Sequence, residues 1–189
     1  GMGLGIYTET VVRDIVSSNG LECGVSNAFS DLTTMRRYYE QARDVIGYGR
    51  RYSKYAGEQS VFHFSDYSYI EMFDVCSEKK NLMNYCQPRL LALMDYDERH
   101  HGELMQTLFA YLQLAGNTMQ TAKLLSIHKN TLLYRMGRIR EVIDDDMSSG
   151  EDMFMYHLSF RVLIYLGLFS PSTVLSASDV KHKSDRSHV

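Results

Sequence analysis

The sequence predicts a mainly α-helical protein in which a small α+β unit precedes an all-helical domain. Proline, which interrupts helices, occurs only at Pro88 and Pro171. Apolar residues recur at spacings of three and four along most of the chain, the period of a helix buried on one side. Only two short segments, around residues 21–25 and 60–64, have the composition of strands. Two strands are few for an independent sheet, so we expect this sheet to be truncated.

The first unit is predicted to span residues 2–78. A helix at 8–17 precedes the first strand, and Asp31 is a suitable N-cap for a long second helix. The tyrosine-rich stretch 38–55 is expected to be part of that helix, packed on the sheet, rather than a stacking platform for nucleic-acid bases. The face of this helix expected to pack inward carries Leu32, Met35, Tyr39, Ala42, Ile46 and Gly49.

The second domain is predicted to span residues 79–169, and 170–189 to be a disordered tail. Residues 77–87 are interpreted as a helix end plus a connection, and Pro88 is expected to open a helix. The last helix is apolar on nearly all sides, which favours a core position and leaves a dimer contact as the alternative. Its predicted core positions are Phe154, Leu158, Val162, Tyr165 and Phe169. The tail contains six serines and no periodic apolar face.

Composition excludes several classes of protein. A chain of 189 residues allows one or two compact domains. The net charge of -3 argues against a protein that coats nucleic acid or membranes with its whole surface. Three cysteines without a CxxC pair exclude a disulfide scaffold and favour a reducing cytoplasm. The longest apolar run, 162–169, is far shorter than the ~20 residues of a membrane span.

Residues 104–143 carry the strongest local pattern. A helical stripe from Leu104 to Ala115 ends at Gly116, and Asn117 follows as an N-cap with Gln120 three residues later, as in a capping box. A short helix at 118–125 is expected to turn its inner residues Thr121, Ala122 and Leu125 to the core. After a tight turn at Ser126 and Ile127, a longer helix at 129–143 buries Leu132, Met136, Ile139 and Ile143. This is the pattern of a helix-turn-helix.

The outward positions of the third helix favour contact with DNA. They are predicted to be His128, Lys129, Asn130, Leu133, Tyr134, Arg135 and Arg138, which supply cations, an amide and an aromatic ring. Between Asn117 and Glu141 the net charge is +4, so the rest of the chain carries -7. A basic segment in an acidic protein is what a local phosphate-binding surface requires. The alternative is that the basic helix is only the solvated face of its domain.

These residues also resemble a known family. The segment Asn117, Thr121-Ala122, Leu125, Ile127-His128-Lys129-Asn130-Thr131-Leu132, Tyr134-Arg135 and Arg138-Ile139 is similar to the C-terminal helix-turn-helix of PucR/CdaR-type bacterial transcriptional regulators. Lys129 stands where that family usually has arginine. The resemblance covers about residues 85–168. It implies a regulator of catabolic or similar operons that responds to a metabolite.

A second resemblance lies upstream and involves Gly24-Val25-Ser26, Asp31-Leu32, Tyr38-Tyr39-Glu40-Gln41-Ala42-Arg43 and Phe62-His63-Phe64. These residues look like the end of the degenerate GGDEF-like domain that precedes the helix-turn-helix in the same family. The strands expected before residue 21 are mostly missing, as is an N-terminal sensory domain. The resemblance therefore implies a fragment or a shortened regulator, with any small-molecule effector acting through an upstream domain.

Enzymatic and metal sites are less favoured by the sequence. A nucleotide cyclase of this type needs a glycine pair beside metal-binding carboxylates, and the chain has no Gly-Gly dipeptide. His100 and His101 are adjacent, so they point to different helix faces, and a solvated loop is favoured. The run Asp144 to Asp146 lacks the alternation of an EF-hand and is interpreted as a helix end. We expect no enzyme activity, no cofactor and no metal.

The resulting hypothesis is a cytoplasmic, sequence-specific DNA-binding transcriptional regulator that inserts the third helix into a major groove. Double-stranded DNA is the expected partner, a homodimer the expected assembly, and no membrane is involved. Lys123 and Arg140 are expected to contact phosphates. The full set of predicted DNA-binding residues is Gln120, Thr121, Lys123, His128, Lys129, Asn130, Thr131, Tyr134, Arg135, Arg138 and Arg140. The rival is a ligand- or protein-interaction module whose helix-turn-helix is only structural.

Overall fold

The computed structural model describes residues 2–52 and 60–172, with side chains from residue 10 onward. Two compact units share the chain, Gly1–Val75 and Cys76–Val189. The elements of the first are α1 (Met2–Ser18), β1 (Cys23–Val25), a 3-10 turn (Leu32–Thr34), α2 (Met35–Tyr52), β2 (Val61–His63) and α3 (Phe64–Ser77), whose last residues pass the boundary. Those of the second are a 3-10 turn (Leu82–Tyr85), α4 (Pro88–His100), α5 (Leu104–Gln113), α6 (Thr118–Leu124), α7 (Lys129–Ile143) and α8 (Gly150–Tyr165). The predicted mainly helical fold with a small sheet is confirmed.

The first unit is built on a two-stranded parallel sheet. β1 pairs with β2 in the register Cys23 to Val61 and Val25 to His63, and α2 connects the strands. Both strands lie where the sequence predicted them. The helix packs so closely on the sheet that a Cβ atom at Gly24 would lie 1.8 Å from the carbonyl oxygen of Ala42. Glycine is therefore required at this position by the approach of α2.

The predicted inward face of α2 is wrong in its N-terminal half. Leu32, Met35 and Tyr39 are 76%, 56% and 65% exposed. The residues that α2 buries are Val45, Gly49 and Tyr52, and the closest approach of the sheet to α2 is at Ala42 and Ile46, beyond the exposed first turns. Asp31 is a cap as predicted, but its carboxylate accepts from the Thr33 N–H at 2.9 Å and begins the 3-10 turn that leads into α2.

Other boundaries also differ from prediction. α1 begins at Met2, earlier than the predicted residue 8. The sequence predicts only a helix end within 77–87, whereas α3 runs from Phe64 to Ser77. α3 buries Tyr67, Ile70 and Phe73, while Met72 and Val75 are exposed. Apolar residues on several sides obscure the helical period in this segment. Lys54 and Tyr55 of the tyrosine-rich stretch lie outside the described residues.

The core of the second unit is formed by α5, α7 and α8. Pro88 occupies the first turn of α4 as predicted. Three aromatic rings, Phe109, Phe160 and Phe169, meet with centroids 5.1 to 5.5 Å apart. On α4, the carboxylate of Asp97 is buried and accepts from the backbone N–H groups of Leu104 and Met105 at 3.0 and 2.9 Å. This carboxylate caps α5 from outside, so α5 starts at a fixed place against α4.

The prediction for α8 needs correction at one end. Phe154 is 56% exposed, whereas the buried positions include Tyr156, Phe160 and Leu163. Because α8 is apolar on nearly all sides, its spacing did not select the buried face. Residues 170–172 also differ from the predicted tail, since the Gln106 side chain bonds the Ser170 carbonyl and the Ser172 N–H. The remainder of that tail, 173–189, lies outside the described residues.

The acidic run after α7 is a helix end, as interpreted from sequence. Asp144 has a left-handed φ of 50° and closes α7. Asp145 accepts from Arg89 at 2.8 Å, from Tyr156 Oη at 3.1 Å and from the Met147 N–H at 2.8 Å. Burial alone would raise the pKa of Asp145, but these bonds outweigh it and lower the pKa below its usual value. The carboxylate therefore ties this loop to α4 and α8.

Candidate nucleic-acid interface

The junction between α5 and α6 follows the predicted caps. Gly116 has a φ of +80°, and its N–H donates to the Tyr111 carbonyl at 2.9 Å, which closes α5. The Asn117 side chain accepts from the Gln120 N–H at 3.0 Å and caps α6. The Asn117 N–H donates instead to Leu114 O at 3.0 Å, so the reciprocal half of the predicted capping box is replaced by a turn bond.

The turn between α6 and α7 is tight and locally hydrogen-bonded. Ala122 is 6% exposed, and its small side chain lets α7 pack close to α6. Ser126 has a left-handed φ of 55°, and the Ile127 N–H donates back to the Ala122 carbonyl at 3.0 Å. Half-buried Ile127 fills the corner, as predicted. A short helix, a left-handed turn and a longer helix in contact with it form a helix-turn-helix.

His128 is the N-cap of α7. Its Nδ1 accepts from the backbone N–H of Asn130 at 3.2 Å, which satisfies one of the free N–H groups at the start of the helix. The exposed His128, Lys129 and Asn130 surround the N-terminal end of α7, where unsatisfied N–H groups make a positive dipole end. This end of the helix is suited to an anionic or hydrogen-bond-accepting partner.

One side of α7 is buried and the opposite side faces solvent. The predicted core positions Leu132, Met136, Ile139 and Ile143 are all at most 2% exposed. At 3.6 residues per turn, the positions opposite them are Asn130, Tyr134, Gly137 and Glu141, which we call the outward strip. Tyr134 is 75% exposed. The strip presents an amide and an aromatic ring along the first two turns of α7.

The two flanks of the outward strip carry different kinds of cation. By the same helical geometry, Arg135 and Arg138 lie on one flank, and Lys129 and Arg140 lie on the other, with Leu133 between them. Both arginines of the first flank bind other side chains of the domain. Within 10–52 and 60–172, no ion pair forms at Lys129, Arg140 or Lys123 of α6.

Arg135 does not project outward as the sequence predicted. Its guanidinium lies 2.7 Å from Glu103 Oε2 and 3.2 Å from Thr107 Oγ1, and its side chain is only 22% exposed. Glu103 immediately precedes α5, so this contact joins the middle of α7 to the start of α5. Arg135 is thus held by the domain, because a carboxylate distant in sequence reaches it.

Arg138 is also held, by a ring and a carboxylate. Its guanidinium donates to Tyr96 Oη at 2.9 and 3.1 Å, lies 5.2 Å from the centroid of that ring, and pairs with Glu141 at 2.7 Å. The hydrogen bonds to Tyr96 and Glu141 raise the pKa of this guanidinium. Tyr96 and Glu103, the two partners that fix these arginines, were not among the predicted site residues, and no local sequence signal marks them.

The remaining predicted contacts divide by exposure. Thr121 is fully buried, and its hydroxyl donates to the Asn117 carbonyl at 2.8 Å. Its side chain is therefore not available for the DNA contact that the sequence predicts. It is buried because it faces the core side of α6. Gln120 is half-buried in the first turn of α6, and Thr131 is exposed on α7. The exposed members of the set are therefore Lys123, His128, Lys129, Asn130, Thr131, Tyr134, Arg138 and Arg140.

Comparison with known protein families identifies this segment. Residues 104–162 match the family model of the PucR C-terminal helix-turn-helix domain. The matched range begins at α5 and ends within α8, so it contains the complete three-helix arrangement described above. The PucR-type resemblance of the helix-turn-helix is confirmed, while a GGDEF-like character of the first unit stays a prediction.

Relatives with curated descriptions are transcriptional regulators. The chain is 26% identical over 157 residues to the DNA-binding transcriptional activator AdeR of Bacillus subtilis, covering 83% of this chain and 37% of AdeR. It is 29% identical over 145 residues to the proline-responsive transcriptional activator PutR of the same organism, covering 74% of this chain and 34% of PutR. It is 26% identical over 150 residues to the transcriptional activator PmfR of Paenarthrobacter nicotinovorans, covering 79% of this chain and 30% of PmfR. The chain spans about a third of the length of these relatives.

The similarity extends beyond the helix-turn-helix. An alignment of 157 residues is longer than the whole second unit, so the likeness to AdeR reaches into the first unit. No solved structure matches the chain. Among residues 2–52 and 60–172, none of the helices has the length and apolarity that a membrane span requires. In the same part of the chain, no three His, Cys, Asp or Glu side chains come together as a metal site would require.

Proposed function

We propose that this protein is a DNA-binding transcriptional regulator that places α7 in the major groove of duplex DNA. The observation that carries the proposal is the helix-turn-helix geometry of 104–162 with Asn130 and Tyr134 exposed on its outward strip. The names of AdeR, PutR and PmfR support the same activity. The proposed activity is binding rather than catalysis. A bacterial regulator that binds chromosomal DNA acts in the cytoplasm, so we propose that location for this protein.

In this proposal the contacts divide into base recognition and phosphate binding. Asn130 lies in the first turn of α7, where the side chains of a recognition helix contact base edges, and its amide can bond adenine at two positions. Lys123, Lys129 and Arg140 bind phosphates, since these exposed cations have no carboxylate partner within 10–52 and 60–172. Arg135 and Arg138 instead hold α7 against α5 and α4.

Three further parts of the proposal depend on the family resemblance. The first unit is the end of a GGDEF-like module, and the alignment to AdeR supports only that this unit also has a counterpart in such regulators. The working assembly is a dimer, because one recognition helix contacts too few base pairs to specify a genomic site. The whole regulator responds to a small metabolite, a kind of response that the name of PutR states for that protein.

Selection of bound duplexes from a random DNA pool tests this function. We expect the 189-residue chain to enrich one sequence motif and to lose most of its affinity when Lys123, Lys129 and Arg140 are all replaced by glutamine. The matched control replaces Arg36, Lys79 and Lys80 by glutamine, which changes the net charge equally outside the helix-turn-helix. Failure to bind any duplex, or equal losses in both triple variants, would contradict the proposal and favour an interaction module.

A further inference from the structure

Gly137 occupies the centre of the outward strip in the middle of α7. Glycine inside a helix is unfavourable relative to alanine, because it loses more backbone freedom on folding. The fold gives no reason for it, since a Cβ atom at Gly137 would meet nothing within 4 Å besides its chain neighbours and the backbone of its own helix. Its backbone does not have the positive φ that would require glycine. Gly24 contrasts with it, because there the packing of α2 excludes any side chain.

The neighbours of Gly137 place it towards the proposed partner. Tyr134 precedes it on the same strip, and Asn130 lies about two turns before it. Glu141 is the next residue of the strip and is paired with Arg138, so beyond Gly137 the strip itself no longer favours an anionic partner, although Arg140 on its flank does. At ~1.5 Å per residue, Gly137 lies about 12 Å from Lys129, where a helix leaving the groove meets the sugar-phosphate backbone.

We propose that Gly137 is the point of closest approach between α7 and the DNA backbone, and that DNA rather than the protein excludes a side chain there. This inference rests on the proposed function. It assigns Gly137 a positioning role: the missing side chain sets how deeply α7 enters the groove. Bulk at this position is tolerated by the folded protein and penalised only in the complex.

The test compares Gly137→Ala and Gly137→Met with the same substitutions at Gly47. Gly47 is an exposed glycine inside α2 with equally open surroundings, so it controls for the gain in helix propensity. At both positions we expect the melting temperature to rise by about 2 °C. The binding probe is the duplex that the wild-type chain selects from a random pool, with random duplex measured in parallel.

We expect Gly137→Ala to weaken binding about tenfold and Gly137→Met about a hundredfold, as crowding a tight contact does, while both Gly47 variants bind as wild type. If both Gly137 variants bind as tightly as wild type, this inference is overturned and the proposed function still stands. A lower melting temperature in the Gly137 variants would also overturn it, because the fold would then require the glycine. If the wild-type chain binds no duplex, the proposed function fails, and this inference fails with it.

Discussion

Arg135, in the middle of α7, reaches across to Glu103, the residue before α5, with its guanidinium 2.7 Å from the carboxylate. The same guanidinium donates to Thr107 in the first turn of α5. The buried stripe of α7 sets the rotation of the helix about its own axis, and this contact adds a polar restraint on one flank. That rotation decides which residues form the outward strip. Arg135, which the sequence predicts to contact DNA, therefore contributes instead by helping to orient the surface that does.

Replacing Arg135 by methionine is expected to lower the free energy of unfolding by about 0.5–1 kcal/mol, the range of a partly exposed ion pair. The dependence of DNA affinity on salt is expected to stay unchanged. Lys129→Met removes one positive charge from the same helix and is the matched comparison. It should leave stability unchanged and reduce the salt slope by about one. Urea unfolding and binding titrations at several salt concentrations measure the two effects.

A role for Arg135 in phosphate binding would give a different result in the same two measurements. A reduced salt slope in the Arg135 variant, with no loss of stability, would show that this guanidinium exchanges Glu103 for a phosphate on binding.

The number of unpaired cations sets the overall salt dependence. Lys123, Lys129 and Arg140 give three phosphate contacts for each protomer, and at about -0.9 per contact the log-log slope is expected to be about -3. Counting Arg135 and Arg138 as well would give a slope nearer -5. Titration of one protomer's half-site at several salt concentrations separates the two values, and a flat dependence would contradict phosphate binding by this surface.

Local patterns were sufficient to predict the helix-turn-helix. The Asn117 cap, the Gly116 stop and the buried stripe of α7 depend on residues within one or two turns of each other, and all were confirmed. The pairing of Arg135 with Glu103 and of Arg138 with Tyr96 joins residues 32 and 42 positions apart. No spacing rule reports such contacts, because they depend on how α4, α5 and α7 pack.

The errors in α2 and α8 have a related cause. Helical periodicity shows that a helix has an apolar face but does not show how much of that face another element covers. Leu32 and Met35 follow the period of α2 and are still exposed, since they precede Ala42 and Ile46, where the sheet packs against the helix. In α8 nearly every face is apolar, so the spacing predicts that Phe154 is in the core. In the structure Phe154 is exposed and Tyr156 is buried.

Asn130 and Arg140 are expected to differ in how their loss depends on DNA sequence. Asn130→Ala should cost about 1–3 kcal/mol on the preferred duplex and relax the preference at one base pair, with little effect on random duplex. Arg140→Ala should weaken binding to both duplexes by similar factors, because a phosphate contact carries no sequence information. Competition assays with both duplexes measure the difference.

Arg138→Ala serves as the internal comparison for Arg140→Ala. Because Tyr96 and Glu141 already hold Arg138, we expect its removal to change the salt slope less than removal of Arg140. If Arg138→Ala alone shifts the sequence preference, or if Asn130→Ala weakens all duplexes equally, the proposed orientation of α7 in the groove is wrong.

His157, on α8, is expected to make the stability of the protein depend on pH. Its Nε2 lies 3.1 Å from the Leu112 carbonyl, and the ring is half-buried. Burial, with a smaller effect of Arg161, lowers the pKa of His157 below its usual 6.5, against the opposing effect of the Leu112 hydrogen bond. The unfolded chain therefore takes up this proton at a higher pH than the folded chain does. Below about pH 6.5 protonation of His157 stabilises the unfolded chain relative to the folded one, so the stability of the protein falls as pH falls.

His157→Gln tests this dependence, because its amide retains a donor for the Leu112 carbonyl and does not titrate. Urea unfolding midpoints of both proteins, measured from about pH 8 to about pH 5, are expected to show the variant gaining relative to wild type only as the pH falls below about 6.5. Other titrating groups are common to both proteins, so the difference between the two curves isolates His157. Curves that stay parallel over this range would mean that the histidine binds its proton equally well in the folded and unfolded chains.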